Sequence, residues 1–144
     1  MPRIKIKKVY MEVAYQFAKL SYAERRQVGA VIVKDKQIIS FGYNGTPNGF
    51  DNCCETDENT TKHEVLHAES NAITKVAQST MSCRGAKLYV TTAPCFDCSK
   101  LIIQSGIKKV YYSETYRDMS GIELLKKANI EVERIDPKDL NLNE

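Results

Sequence analysis

LYVTTAPCFDCSKLIIQSGIKKVYYS, residues 88–113, carries the alternation on which the fold turns. Leu88-Tyr89-Val90-Thr91-Thr92 is short and rich in β-branched and aromatic residues, the composition of a strand. Pro94 stands where a helix can begin, since its missing N–H is no loss in a first turn. Leu101, Ile102 and Ile103 give that helix an apolar side, and Gly106 follows as its C-terminal cap. Ile107 to Ser113, with Val110-Tyr111-Tyr112 inside it, reads as the next strand.

The pattern continues outward in both directions. Downstream, a helix from about Gly121 to Ala128 and a strand from Ile130 to Ile135 precede a polar, loosely held tail, Asp136 to Glu144. Upstream, Ala68, Ala72, Ile73 and Val76 form one apolar face of a helix over His67 to Val76. Before it lies a polar segment from Asn44 to about Lys62, opened by the turn formers Asn44-Gly45-Thr46-Pro47-Asn48-Gly49. A stretch of that length without periodic structure in a compact domain is usually functional or mobile, with a linker as the plainer alternative. Val28 to Val33 and Ile38 to Tyr43 read as a hairpin joined tightly through Lys34-Asp35-Lys36-Gln37. Val9, Val13, Phe17 and Leu20 mark the buried face of a first helix. Helices alternating with strands in this way predict an α/β protein. The expected architecture is three-layer α/β/α: a mixed five-stranded sheet flanked by helices, in a single domain over residues 1–144.

The 144 residues are 42% hydrophobic and 27% charged, ordinary values for a soluble globular chain. Nothing approaches the ~20 apolar residues of a membrane span. Met1-Pro2-Arg3-Ile4-Lys5-Ile6-Lys7-Lys8 is basic but has no secretory apolar core, so a cytoplasmic location is expected. The net charge of +3 is small and spread out, which argues against a nucleic-acid polymer as partner. A small anionic substrate needs only two or three well-placed cations. Five cysteines (Cys53, Cys54, Cys83, Cys95 and Cys98) are an odd number without a secretion signal, which favours metal binding or buried thiols over disulfides.

His67-Ala68-Glu69 and Pro94-Cys95-Phe96-Asp97-Cys98 hold the chemistry. Catalytic zinc sites usually take three protein ligands and leave one position for water, and His67, Cys95 and Cys98 supply three. If Cys95 opens a helix, its sulfur and that of Cys98 point the same way, and the positive helix end favours both thiolates. Zinc so held lowers the pKa of its water toward neutrality. Glu69, two residues from a ligand, is then the proton shuttle for an amine leaving group. Taken singly, the Cys-x-x-Cys also fits a redox pair or core thiols, His67 a structural imidazole, and Glu69 a first-turn carboxylate. Together they point to catalytic zinc.

The combined pattern, H-x-E followed by P-C-x-x-C, is the established signature of zinc nucleobase deaminases. Gly42-Tyr43-Asn44-Gly45-Thr46-Pro47-Asn48-Gly49, His67-Ala68-Glu69-Ser70-Asn71-Ala72-Ile73 and Leu101-Ile102-Ile103-Gln104-Ser105-Gly106-Ile107 extend the match. On these residues the chain resembles the cytidine deaminase superfamily, in its deoxycytidylate deaminase branch, from about Tyr10 to Val132. The zinc motif is specific to the superfamily, and the Gly-Tyr-Asn-Gly segment narrows it to the branch.

The resemblance implies one catalytic Zn2+ on His67, Cys95 and Cys98, with Glu69 as the shuttle. It implies conversion of dCMP to dUMP and ammonia, supplying thymidylate synthesis. It further implies that Asn44 contacts the deoxyribose, that Ala68 belongs to the substrate site, and that Tyr116 and Arg117 help hold the 5′-phosphate, with Arg25 and Arg26 nearby. Members are commonly homohexamers, activated by dCTP and inhibited by dTTP, with Mg2+ accompanying the triphosphate. Gly42, Tyr43, Asn44, Gly45 and Asn48 are the implied effector contacts. Some members carry a second, structural zinc. Here Cys53, Cys54, His63 and Glu64 do not assemble a convincing ligand set, and Cys83 reads as a buried thiol, so one zinc is expected. Two other readings stand beside this one. A deaminase of another nucleoside or of a tRNA base should show a broader basic face. A catalytically silent zinc-stabilised module should use a fourth protein ligand and would not need Glu69.

Overall fold

The computed structural model describes residues 2–142. Five strands form one mixed sheet in the order β2-β1-β3-β4-β5. They are β1 (Gly29–Lys34), β2 (Gln37–Tyr43), β3 (Lys87–Thr92), β4 (Lys109–Glu114) and β5 (Glu131–Arg134). β1 pairs antiparallel with both β2 and β3, whereas β3–β4 and β4–β5 are parallel. The β1–β2 turn places Asp35 and Lys36 at φ of 51° and 66°, the left-handed pair that matches the twist of a two-residue hairpin. Parallel neighbours need crossovers, and α3 (Phe96–Ser105) and α4 (Ser120–Lys127) provide them. Gly106 ends α3 at φ 89°, the cap expected from its position.

Strand alternation divides the core into two. Ala30, Ile32, Leu88, Val90 and Val110 face α2 (Ala68–Ala77), α3 and α4. Val31, Val33, Tyr89 and Tyr111 face α1 (Pro2–Ala18) on the other side. The result is the three-layer α/β/α arrangement with a mixed five-stranded sheet. No helix among the described residues is long and apolar enough to cross a membrane.

Three local expectations are corrected. The first helix begins at Pro2 and ends at Ala18, and its fully buried face is Met11, Ala14 and Ala18, while Val9 and Leu20 are exposed. The reason is close approach: a Cβ on Gly29 would lie 2.0 Å from the Ala14 carbonyl oxygen, so only small side chains fit where helix meets strand. Leu101 is exposed, and Ile102 alone of its apolar trio is fully buried. The segment after β5 is not loose as far as Leu142. Asp136 caps a 3-10 turn over Pro137–Asp139, Leu140 packs on the α1 side of the core, and the Asn141 N–H donates to the Glu12 carboxylate at 2.7 Å. Residues 143 and 144 lie outside the described residues.

Candidate active site

His67 is the N-cap of α2 and Cys95 the N-cap of α3, so both motifs begin helices at one edge of the sheet. Two constraints fix these starts. Gly45 and Leu66 exchange backbone hydrogen bonds of 3.0 and 2.7 Å, anchoring the residue before His67 to the end of the hairpin. Gly121, at the start of α4, abuts the Pro94–Cys95 turn: a Cβ there would fall 2.4 Å from the Pro94 carbonyl oxygen. Only a glycine lets α4 close against that turn.

The His67 Nδ1 atom lies 3.5 Å from Cys95 Sγ and 3.3 Å from Cys98 Sγ. All three ligand atoms fall within 4.8 Å of one another, and they are the one such cluster among the described residues. With Zn–N of about 2.0–2.1 Å and Zn–S of about 2.3 Å, tetrahedral N and S corners stand about 3.5 Å apart. The donor set and its spacing fit Zn2+. Cys83 is buried, as its sequence context suggested, and Cys53 is exposed.

The two thiols share the burden of one negative charge. A hydrogen bond from Cys98 holds the Cys95 thiol down at about 4, against burial, with His67 assisting. Cys98 is pushed up by that same contact and by burial. The Cys98 backbone N–H also points at Cys95 Sγ, at 3.4 Å, in the manner of a helix cap. His67 is raised by its hydrogen bond to Cys95. Glu69 occupies the first turn of α2 and is only 4% exposed. Burial lifts its carboxyl to about 7, against the pull of its own backbone N–H and of His67. A carboxyl poised near neutrality can both take and give a proton.

His67, Glu69 and Cys95 line a cavity of about 390 Å³ together with Ala68, Asn44, Arg25, Arg26, Tyr116 and Arg117. The volume falls within the range of small-molecule sites. The three arginines are exposed and come from two segments that are far apart in sequence. Arg26 lies 3.5 Å from the Glu114 carboxylate and 5.8 Å over the Tyr116 ring, and Arg25 reaches Thr61 at 3.5 Å. Tyr15 on α1 donates to Glu114 at 2.7 Å and so steadies Arg26's partner. The Asn44 side chain braces this region from within: Oδ1 accepts the Val28 N–H at 3.0 Å and Nδ2 donates to the Arg26 carbonyl at 2.8 Å. Of the glycine-rich segment, Gly42 is buried under α2, where a Cβ would meet the Ala68 carbonyl oxygen at 2.4 Å. Tyr43, Gly45 and Asn48 lie along the exit from β2, outside the cavity lining.

Sequence reading missed Glu55. Its carboxylate lines the cavity and accepts the backbone N–H groups of Glu24 and Arg25 at 2.9 and 3.1 Å, fixing the loop that carries both arginines. No sequence signal marks it, because it sits in the aperiodic segment. Cys54, also lining the cavity, is fully buried.

The family model for the "cytidine and deoxycytidylate deaminase zinc-binding region" matches residues 4–114. The chain is 36% identical to the deoxycytidylate deaminase of Enterobacteria phage T4, covering 91% of this chain and 90% of that protein. It is 37% identical to ComE operon protein 2 of Bacillus subtilis (strain 168), over 94% of this chain and 74% of that one. Among solved structures, the dCMP deaminase of cyanophage S-TIM5 in complex with dCMP and dUMP superimposes with a TM-score of 0.89. That pair shares 47% identity and covers 91% of this chain and 97% of the other.

Proposed function

Because the chain belongs to the cytidine and deoxycytidylate deaminase zinc-binding family, we propose that it converts dCMP and water to dUMP and ammonia. One observation carries this reading: a buried carboxyl, with His67 and Cys95 of the His/Cys/Cys set, lines the same cavity as three arginines. Zinc held by His67, Cys95 and Cys98 supplies Lewis-acid activation of the attacking water. Glu69 takes the first proton of the attacking water and passes it to N3 of the ring; it then takes the remaining proton from the new C4 hydroxyl and gives it to the amine, which leaves as ammonia while the C4–N bond breaks and the C4 carbonyl forms. Tyr116 and Arg117, with Arg25 and Arg26, bind the 5′-phosphate, which arginine meets through a planar fork of donors. Asn44 orients the sugar with the donor its backbone bonds leave free, and Ala68 borders the base.

The wider reading rests on the family. The enzyme supplies dUMP for thymidylate synthesis in the cytoplasm, as one deaminase domain in a homohexamer. dCTP activates it and dTTP inhibits it, with Mg2+ on the triphosphate. The effector site lies along Tyr43, Asn44, Gly45 and Asn48, with Gly42 supporting the segment through its packing on α2. Exposed Phe50, Tyr22 and Leu101 are apolar surface that assembly can cover. Ammonia release from deoxycytidine, dCMP, dCTP and CMP, each with and without added triphosphate, tests these points. The expected result is turnover of dCMP far above deoxycytidine, shifted by dCTP and dTTP. Equal rates on deoxycytidine and dCMP would sink the phosphate role, and indifference to both triphosphates would remove the regulation.

A further inference from the structure

A second cavity, of about 520 Å³, lies at the other end of the sheet from the catalytic one. It sits between the first helix, the β1–β2 turn, the start of β3 and the entry to β4. Lys7, Lys34, Lys36, Lys87 and Lys108 line it, with Asp35 the one carboxylate. Five cations against one anion leave +4 around this cavity, while the whole chain carries only +3, so the remaining residues sum to −1. The basic excess of the protein is therefore concentrated here.

Two of the lysines are held in place by neighbours: Lys7 pairs with Glu133 at 3.5 Å, and Lys34 donates to the Ser82 carbonyl at 3.1 Å. The ammonium groups of Lys36, Lys87 and Lys108 make no ion pair or hydrogen bond with the described residues. Like charges gathered around a recess repel one another, and a bound polyanion removes that cost. Tyr10 closes one side, anchored through its hydroxyl to the Lys36 carbonyl at 3.1 Å, and Ile6 leaves an apolar rim. The lining is built to receive several negative charges at once, in a space the size of a small molecule.

We propose that this cavity is a binding site for a small polyphosphate, either an inorganic chain or the triphosphate of a nucleotide, separate from the catalytic cavity. Lys36, Lys87 and Lys108 are its principal cations, and the Ile6–Tyr10 side receives a base when one is attached.

The test is calorimetric titration of the zinc-loaded protein with inorganic tripolyphosphate and, separately, with ATP, in about 0.15 M salt to screen loose surface contacts. Saturating dUMP, the product of the proposed reaction, is present throughout to occupy the catalytic arginines without turnover. The proposal expects saturable binding of one anion per chain. Lys87→Gln and Lys108→Gln should each weaken it at least about fivefold, Lys87→Arg should restore it, and Lys126→Gln should leave it unchanged. Tighter binding of ATP than of tripolyphosphate assigns the rim to a base, and equal binding assigns the site to the phosphate chain alone. Thermal unfolding of each variant separates lost binding from lost folding, and basal dCMP turnover of the lysine variants should stay at the wild-type level. No saturable binding, equal binding by wild type and both glutamine variants, or binding seen only when dUMP is left out would overturn the proposal.

Discussion

Glu69 carries a proton problem that its surroundings impose. Its pKa rises from 4.5 to about 7, chiefly by burial. Between those values the folded, metal-stripped chain holds a proton that the unfolded chain has already released. Folding stability therefore falls as pH rises through that window, by on the order of 3 kcal/mol for a shift of this size. Urea unfolding of metal-stripped wild type and Glu69→Gln at pH 5 and pH 7.5 checks this. The glutamine variant is expected to lose that part of the slope, and identical slopes in the two proteins would show that Glu69 is not held neutral. At the cavity mouth, Arg117 tests the phosphate reading. Arg117→Ala is expected to raise KM for dCMP about tenfold and leave KM for deoxycytidine unchanged. A matching rise for both substrates would mean that the arginine shapes the cavity and does not bind phosphate.

At the scale of elements, small residues decide where the helices sit. Gly29 admits α1 to the sheet and Gly121 admits α4 to the Cys95 turn. Their alanine variants should fail in different ways. Gly29→Ala is expected to lower unfolding stability by roughly 1–3 kcal/mol through overpacking, with zinc affinity retained. Gly121→Ala is expected to weaken zinc binding by about tenfold or more, because it pushes on a ligand's own turn. Competition with a chelating dye measures the second effect, and unaltered affinity in Gly121→Ala would separate α4 from the metal site. The same glycines explain what the sequence withheld. The strands, the hairpin and the helix starts at His67 and Cys95 were legible, because β-branched runs, turn formers and caps are local signals. The α1 face was half legible: Val13 and Phe17 do pack against the core, but its buried centre is Met11, Ala14 and Ala18, and a search for large apolar residues passes over alanines set opposite a glycine. Glu55 was illegible for another reason: it bonds backbone N–H groups some thirty residues away, from a loop without periodicity.

Over the whole molecule, the sheet separates two kinds of chemistry. Its catalytic edge gathers the ligand set, a neutral-leaning carboxyl and arginines, while the opposite end gathers lysines around a second recess. The H-x-E and P-C-x-x-C segments made the reaction class readable, but the substrate depends on residues that only folding brings together: Arg25, Arg26, Tyr116 and Arg117 come from two separate segments lining the cavity that His67 and Cys95 share. The central claim is that this constellation deaminates dCMP with Glu69 as its proton carrier. Its most direct test is dUMP formation from dCMP by wild type and Glu69→Gln, both shown to hold one zinc per chain. The account predicts turnover by the wild type and a loss of about 10²–10⁴-fold in the variant at equal zinc content. Near-normal turnover by zinc-loaded Glu69→Gln, or none by the zinc-loaded wild type, would contradict it.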